Sequence, residues 1–397
     1  MKTFLLISDI HASTIDPSLP NAPSYVSTVA GGSGSVDPMK DLERLIRDEG
    51  LRPDYVLCPG DITNKSDPVA LRYAWERLQH IASSLNAQLI ATVGNHDVDS
   101  RYQANKFDPR GFLMALSPTL PVGDRIRFLE FWAENFTVLS HADCTVAILN
   151  TAAYHGGGAE TAKEIEHGRI SDITLSRLEA TITSCPATAV NVLLCHHHPI
   201  KGEPSDESLI GLTRGGERLI HMLEGTRRPW IIVHGHKHIP DLFYGHGGAN
   251  APVVVACASF SAQINADAQN KNPNQVHYLV CDPNGATAAG LTSAGLVKSW
   301  TWQPGIGWQR SRGQIGLPHA IGYGYRGNIE LLVNEVEAML ESRDAPVASW
   351  GDAIAVVPSL KHLIPVDLNG LLAAFSSRGL NVLTERDGSL AQIGRAS

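Results

Sequence analysis

The stretch QLIATVGNHD, residues 88–97, places an apolar run directly before a polar Asn-His-Asp sequence. The run has the length and composition of a buried strand, and the glycine at its end predicts a turn. Four other places in the chain have polar side chains at or just after the end of a predicted strand: Asp9-Ile10-His11, Gly60-Asp61, Cys195-His196-His197-His198-Pro199 and His234-Gly235-His236-Lys237-His238. Because open α/β sheets bind ligands at the carboxyl ends of their strands, we expect these five groups to converge.

Helical patterns separate the predicted strands. Asp37-Pro38 and Asp67-Pro68 each predict an N-cap followed by proline in the first helical turn, and Ser171 predicts a third cap. Continuous β-branched runs at 189–195 and 229–234 indicate strands covered on both faces. This alternation predicts an α/β or α+β fold rather than a helix bundle or an all-β barrel.

Changes of pattern along the chain predict a division into domains. Within a first domain of residues 1–300, the polar and aromatic segment 99–140 is too long for an ordinary connection and is a candidate cap or lid. Residues 301–327, rich in Gly and Trp, predict a hairpin or linker. Residues 328–397 contain two helical patterns and an alternating segment with Asp387-Gly388 at a turn, which predicts a small C-terminal, winged-helix-like α/β module.

Composition excludes several classes of protein. The 397 residues are 43% hydrophobic and 18% charged, as in a globular protein, and the apolar runs are too short for a membrane span. The net charge of −8 argues against binding to double-stranded nucleic acid. Asp9 interrupts the first apolar run before it reaches the length of a secretory signal, and the six cysteines lack close pairing, so we expect a cytoplasmic protein.

The side chains in the five groups are metal ligands of a mixed kind. Carboxylates, imidazoles and an amide oxygen suit Fe, Mn, Zn or Co, and no thiolate is needed. Seven candidate ligands exceed the needs of one ion, whereas two ions bridged by a carboxylate would use them all. The pairs Asp9/His11 and His236/His238 would each point to one side of an extended segment. Such paired sites are typical of phosphate-ester hydrolysis.

The order D-x-H, GD, GNHD, a histidine cluster after a strand, and GHxH resembles the calcineurin-like metallophosphoesterase superfamily over roughly residues 1–260. Each element alone is common, but five in this order after five predicted strands are very specific. The resemblance implies a four-layer αββα sandwich of two mixed sheets flanked by helices, with a dinuclear metal centre.

The resemblance also implies a ligand set for each ion. The first ion would be held by Asp9, His11, Asp61 and His238, and the second by Asp61, Asn95, one histidine of 196–198 and His236. Counting from the end of the strand selects His196, whereas counting back from Pro199 selects His197; we favour His196.

The same resemblance implies roles for residues that are not metal ligands. His96 matches a histidine that protonates the leaving oxygen or stabilises the phosphoryl charge, and Asp97 would orient it. We expect Gly60, Gly94 and Gly235 to allow tight turns or close approach to the ions.

The implied reaction is in-line attack of a metal-bound hydroxide on a phosphoester. The chain has GDITNK and GNHD where protein phosphatases of the superfamily usually have GDxVDRG and GNHE. Its HHHP and GHKH sequences are more similar to the branch of cyclic-nucleotide and glycerophosphodiester phosphodiesterases. We therefore expect hydrolysis of a small phosphodiester such as a cyclic nucleotide.

Two other functions remain open at this point. One is a nuclease or phosphomonoesterase of the same fold. The other is a non-catalytic scaffold, with a protein partner or a second copy bound through the C-terminal module, whose segment from residue 326 onward has a net charge of −3. Scaffolds tend to lose metal ligands, and here every ligand position is filled, so the enzyme is favoured.

Overall fold

The computed structural model describes residues 1–29, 36–105, 107–157, 166–202, 211–263, 272–313, 315–342, 347–385 and 387–395. In chain order its strands are β1 (Lys2–Leu6), β2 (Tyr55–Cys58), β3 (Gln88–Ala91), β4 (Phe136–Ser140), β5 (Cys144–Leu149), β6 (Val190–Leu194), β7 (Trp230–His234), β8 (Asp241–Tyr244), β9 (Val253–Ala256), β10 (Gln275–Cys281), β11 (Gly295–Gln303), β12 (Gly307–Arg310), β13 (Ala320–Tyr323), β14 (Val347–Ser349), β15 (Leu380–Thr384) and β16 (Leu390–Arg395).

The helices are α1 (Pro38–Asp48), α2 (Pro68–Ser84), α3 (Gly111–Met114), α4 (Arg125–Glu134), α5 (Asp172–Ser184), α6 (Gly216–Gly225), α7 (Pro283–Ala288), α8 (Ile329–Glu341), α9 (Trp350–Val356) and α10 (Pro365–Ser377), with a 3₁₀ turn at Pro358–His362. The three caps predicted from the sequence are confirmed. The side chains of Asp37, Asp67 and Ser171 accept hydrogen bonds from backbone N–H groups in the first turns of α1, α2 and α5. Across the described residues, no helix is both long and apolar enough to cross a bilayer.

Two mixed sheets form the centre of the molecule. The first has the order β12-β11-β10-β1-β2-β3, with β13 also paired to β11, and the second has the order β4-β5-β6-β7-β9-β8. Strands β1, β2 and β3 are parallel to one another, as are β5, β6, β7 and β9. The carboxyl ends of each parallel set therefore lie at one edge of its sheet.

Successive side chains along the strands of the second sheet point alternately into two different apolar cores. In β7, Ile231 and Val233 face the large core shared with the first sheet, whereas Trp230 and Ile232 belong to a second core with α5 and α6. Helices α1 and α2 cover the other side of the first sheet through residues such as Leu42 and Trp75. The layers are helix, sheet, sheet, helix, which confirms the expected four-layer sandwich.

Part of the predicted insertion at 99–140 has a different structure from the one expected. Residues 136–140 form β4, which pairs antiparallel with β5 at the edge of the second sheet. The sequence FTVLS is apolar and β-branched enough to pair in this way. The segment before β4 carries α3 and α4, so a lid could come only from that part.

The Gly- and Trp-rich region forms strands of the first sheet. Strands β11 and β12 make an antiparallel hairpin, with Trp302 opposite Trp308. Strand β13 pairs with the first half of β11 on the same edge as β12, opposite β10. The β11–β12 hairpin extends the sheet, and the division of the chain at 301–327 stays a prediction.

The C-terminal residues form a separate three-stranded sheet of order β14-β16-β15, packed with α8, α9 and α10 around its own apolar core. The order is helix, strand, helix, helix, strand, strand, and a winged-helix-like module stays a prediction. Just before this module, Arg326 contacts the sandwich: its guanidinium lies 3.7 Å from the centre of the Tyr244 ring and donates to Ala251 O at 2.5 Å. The Tyr244 hydroxyl donates to Tyr325 O at 2.9 Å.

Candidate metal centre

Backbone hydrogen bonds continue beyond the ends of the strands and fix the site loops. Asp9 N donates to Gly60 O at 3.1 Å and His11 N donates to Asp61 O at 2.9 Å, which joins the loops after β1 and β2. Gly235 N donates to His196 O at 3.0 Å, which joins the loops after β7 and β6. The groups that the sequence predicted to converge therefore lie on loops held together in pairs.

Most of the candidate ligands have an unusual backbone conformation. The φ angles are +50° at Asp9 and His11, +51° at Asp61, +85° at His236 and +59° at His238. Left-handed conformations are uncommon for residues other than glycine, and each costs about 1–3 kcal/mol where the surroundings enforce it. Such residues concentrate at functional sites, which agrees with the positions predicted from sequence.

Three glycines allow backbone and carboxylate atoms of the site loops to approach one another closely. Gly60 has a φ of +106°, and a Cβ there would lie 2.6 Å from Gly94 N. A Cβ on Gly94 would lie 2.1 Å from Asp61 Oδ1, and one on Gly235 would lie 2.3 Å from Asp9 Oδ2. Any side chain at these three glycines would displace a site carboxylate or its loop, and their close approach to the ions stays a prediction.

The side chains expected to hold the first ion point toward one another. His11 Nε2 and His238 Nε2 are 2.9 Å apart. Asp61 Oδ2 lies 3.7 Å from His11 Nε2, and Asp9 Oδ1 lies 3.5 Å from His238 Nε2. These four groups, from three loops, surround one point.

The second expected set shares Asp61 with the first. His196 Nε2 lies 3.3 Å from Asp61 Oδ2 and 3.0 Å from Asn95 Oδ1, and His236 Nδ1 also lies 3.0 Å from Asn95 Oδ1. His196 is fully buried and its other nitrogen lies 3.0 Å from Pro59 O, which fixes the ring. This geometry favours His196 over His197, whose Nδ1 lies 2.8 Å from Thr151 Oγ1.

Burial and neighbouring charges shift the pKa values of the buried Asp and His side chains in the site. Burial would raise the pKa of Asp9, but the hydrogen bond with His238 and the charges of His238 and His196 lower it to about 2. Burial would lower the pKa of His196, but the Asp61 carboxylate raises it to about 9. Burial lowers the pKa of His11 to about 3. The site therefore combines buried carboxylates with a His196 ring whose charged form they stabilise and a His11 ring that keeps a free lone pair.

The donor set fits a pair of metal ions. Asp9 and Asp61 are buried, at 0% and 1% exposure, and in the described part of the chain neither forms an ion pair with Lys or Arg. Buried carboxylates need a cation or several donors to balance their charge, and metal ions would supply it here. Among the described residues, four groups of three His or Asp side chains have ligand atoms within 4.8 Å of one another. Three of the groups are joined by Asp9, His11 and Asp61, and the fourth is His196, His197 and His236.

His96 lies beside Asp61 and is partly buried, as are His236 and His238. Its backbone N–H donates to Asp61 Oδ1 at 2.7 Å, and its Nδ1 lies 3.1 Å from Asn64 Oδ1. Because the amide oxygen only accepts, the Nδ1 proton points to Asn64 and Nε2 is left for a substrate. Asn64 lies three positions after Asp61, and its role escaped the sequence analysis because an exposed polar loop looks the same in sequence.

The sequence analysis expected Asp97 to orient His96, but the Asp97 side chain contacts other groups. Its two carboxylate oxygens accept from Thr63 N at 3.0 Å and Gly94 N at 2.9 Å. Burial and then the charge of Asp61 raise its pKa to about 7. Asp97 therefore ties the loop after β2 to the turn after β3, since its side chain is directed inward to the backbone.

Comparison with known proteins agrees with this site. A family model described as calcineurin-like phosphoesterase matches residues 2–251. The chain is similar to a cAMP/cGMP dual specificity phosphodiesterase of Mycobacterium tuberculosis, with 26% identity over 239 residues that cover 59% of this chain and 63% of that protein. It is also similar to a protein of Rhodococcus erythropolis named as a cyclic nucleotide phosphodiesterase, with 26% identity over 210 residues, 53% of this chain and 58% of that protein.

Each of these matches spans less than two thirds of the relative's length. Among solved structures, the crystal structure of a dimetal phosphatase from Danio rerio has a TM-score of 0.51 and 14% identity, covering 82% of this chain and 99% of that chain. At that identity the likeness shows the fold alone.

Proposed function

Because this chain belongs to the calcineurin-like phosphoesterase family, we propose that it hydrolyses a small phosphodiester with the help of two metal ions. The observation that carries the proposal is the convergence of seven donor side chains, from loops after five strands, around the shared carboxylate of Asp61. An enzyme is favoured over a scaffold because every one of these positions holds a metal-ligating side chain.

Each set of side chains would hold one ion. Asp9, His11, Asp61 and His238 form the first set, and Asp61, Asn95, His196 and His236 form the second. When bound there, the ions would make water a stronger nucleophile and offset the charge on the phosphoryl oxygens.

His96 acts on the leaving group in this proposal. Its ring lies at the edge of the centre, 4.7 Å between ring centres from His11, and is half-buried. With its Nδ1 proton directed to Asn64, Nε2 can hold a second proton and donate it to the departing ester oxygen.

The substrate class is proposed from the relatives and from charge. The two curated relatives are named as cyclic nucleotide phosphodiesterases. The net charge of −8 supports a small ester over a long nucleic acid. We therefore propose a cyclic nucleotide or a similar small diester.

The same proposal includes the identity of the metal, the cellular compartment and the binding partners. The oxygen and nitrogen donors suit Mn, Fe, Zn or Co. The six cysteines, all described, are free thiols, which supports a reducing cytoplasm. The C-terminal module is proposed as a surface for a protein partner or a second copy.

Metal analysis and a substrate panel test the proposed function. Purified protein should contain about two transition-metal ions per chain and hydrolyse bis-p-nitrophenyl phosphate and cyclic AMP faster than p-nitrophenyl phosphate or single-stranded DNA. The variant His96→Ala should lower kcat by about 100-fold or more while retaining the metal. Full activity of His96→Ala would contradict its role, and Asp61→Asn with both ions and full activity would contradict the bridge.

A further inference from the structure

His197 has a ring nitrogen that the two proposed ligand sets leave unused. Its side chain is fully buried, and its Nε2 has no hydrogen-bond partner among the described residues. A buried polar atom without a partner costs about 1–3 kcal/mol, and a bound ion is one way in which native proteins satisfy such an atom. The position of this nitrogen therefore decides what it can bind.

Thr151 holds the His197 ring in one orientation. The Thr151 hydroxyl oxygen lies 2.8 Å from His197 Nδ1 and accepts from the His197 backbone N–H at 3.2 Å. A hydroxyl oxygen can accept from both groups, which places the ring proton on Nδ1 and leaves a lone pair on Nε2. Histidines that bind metal ions almost always donate their other ring N–H to an oxygen in this way. The ring of His197 is therefore held as that of a ligand binding through Nε2.

His197 lies against two histidines of the second proposed set. The ring centres of His196 and His197 are 4.8 Å apart, and those of His197 and His236 are 4.6 Å apart. One ring nitrogen from each of these three side chains lies within 4.8 Å of the other two. Imidazole nitrogens bound to one ion at about 2.0–2.1 Å lie at most about 4.2 Å apart, so shifts of a few tenths of an ångström in each ring bring all three within range of one ion.

The neighbouring rings of His198 and His234 differ from His197 in this respect. Their Nε2 atoms are also buried without a hydrogen-bond partner in the described part of the chain, and their ring centres are 4.2 Å apart. Within the same described residues, neither ring belongs to a group of three side chains whose ligand atoms lie within 4.8 Å, whereas His197 does. Proximity to His196 and His236 therefore distinguishes His197 from these two histidines.

We propose that His197 is a fifth protein ligand of the second metal ion, binding through Nε2 beside Asp61, Asn95, His196 and His236. The inference rests on the proposed function, which includes that ion, and it adds a ligand to the set implied by the family resemblance. Three imidazoles at one position suit Zn or Fe better than Mn, whereas the first set has two carboxylates and two imidazoles. The second position is therefore the more selective of the two for Zn or Fe over Mn.

The variant His197→Asn tests the ligand and keeps the contact with Thr151, because an asparagine amide N–H can take the place of Nδ1–H while nothing replaces Nε2. The matched control is His277→Asn. His277 is also fully buried and its Nδ1 lies 2.8 Å from Ser299 Oγ, but its Nε2 accepts from Ala258 N at 3.2 Å. The same substitution therefore removes a buried imidazole from each position, and only at His197 does it remove a free nitrogen.

The first measurement is the affinity for each metal ion, by titration with a competing chelator. His197→Asn should bind one of its two Zn²⁺ ions at least about 10-fold more weakly than the wild-type protein, since loss even of a residue that only supports a ligand costs about 10–100-fold. The ratio of Zn²⁺ to Mn²⁺ affinity at that position should fall as well. His277→Asn should keep both affinities and their ratio at the wild-type values.

A spectroscopic measurement on the wild-type protein separates a ligand from a residue that only positions its neighbours. The protein is loaded with an NMR-active isotope of cadmium and labelled in histidine with the heavy isotope of nitrogen. Each ligating nitrogen should then be split by one-bond coupling to cadmium. Five histidine nitrogens should show this splitting, two from the first set and three from the second, rather than four. This count requires no variant to fold.

The outcomes separate this inference from the function on which it rests. Wild-type protein that binds fewer than two ions and hydrolyses no diester would overturn both. Two bound ions and diester hydrolysis with only four split nitrogen signals would overturn the role of His197 alone. Folded His197→Asn with both ions held at wild-type affinity would do the same.

Discussion

Substitution of Gly94 by alanine tests the close packing on which the metal centre depends. The new Cβ would lie 2.1 Å from Asp61 Oδ1 and 2.4 Å from Asp61 N, whereas Cβ contacts below 3.0 Å essentially do not occur. The atoms must therefore separate by about 0.6–0.9 Å. Asp61 is buried and its loop is bonded to the loop after β1, so a swing of one flexible side chain cannot relieve the overlap.

The expected effect follows from what Asp61 contacts. Its Oδ2 faces His11 and His196, and its Oδ1 accepts from His96 N. A displacement therefore changes both proposed ligand sets and the histidine proposed to act on the leaving group. Misplacement by about 1 Å can cost about 100-fold in rate. Overpacking should also lower the free energy of unfolding by about 1–3 kcal/mol.

Three measurements on Gly94→Ala check these numbers. They are kcat/KM for bis-p-nitrophenyl phosphate, metal per chain by mass spectrometry, and urea unfolding. The matched control is Gly370→Ala in α10, where no atom lies within 4 Å of the new Cβ and where alanine should stabilise the helix by up to about 1 kcal/mol. Wild-type rate and two bound ions in Gly94→Ala would refute the reasoning.

Three further predictions follow from contacts in and around the site. Asn64→Ala should lower kcat about fivefold with KM unchanged, because His96 loses one hydrogen bond; equal rates in steady-state assays would exclude that positioning role. Removal of metal with a chelator should lower the Tm by about 5 °C or more and added Mn²⁺ should restore it, as calorimetry would show; an unchanged Tm would argue against tight binding at these residues. Arg326→Ala should destabilise the protein by about 2 kcal/mol in urea through loss of the Tyr244 contact, whereas Arg310→Ala, which removes an exposed pair with Glu49, should cost less than about 1 kcal/mol; equal losses would contradict this account.

The sequence was sufficient to predict the strands that carry the site. Apolar runs followed by Asp, Asn or His mark β1, β2, β3, β6 and β7, because a strand buried on both faces must be apolar and its polar end must lie at the sheet edge. The caps of α1, α2 and α5 were also readable, since an N-cap is a local interaction between residues two or three positions apart.

Contacts between distant loops could not be predicted in this way. Asp97 and Asn64 are both polar loop residues, yet Asp97 bonds to backbone groups while Asn64 contacts the His96 ring. Which side chain faces inward depends on how the loops after β2 and β3 meet. Similarly, β4 is an edge strand only because it pairs with β5, and the sequence of an insertion does not reveal such pairing.

The left-handed backbone at the proposed ligand positions has a consequence for how this protein can change over generations. Glycine would relax the left-handed main chain at five of these positions, which are Asp9, His11, Asp61, His236 and His238. The native side chains there therefore lower the stability of the fold. A descendant that no longer needed metal would gain stability by replacing them. Glycine or asparagine at several of these positions at once would therefore identify a lineage in which the reaction had been abandoned.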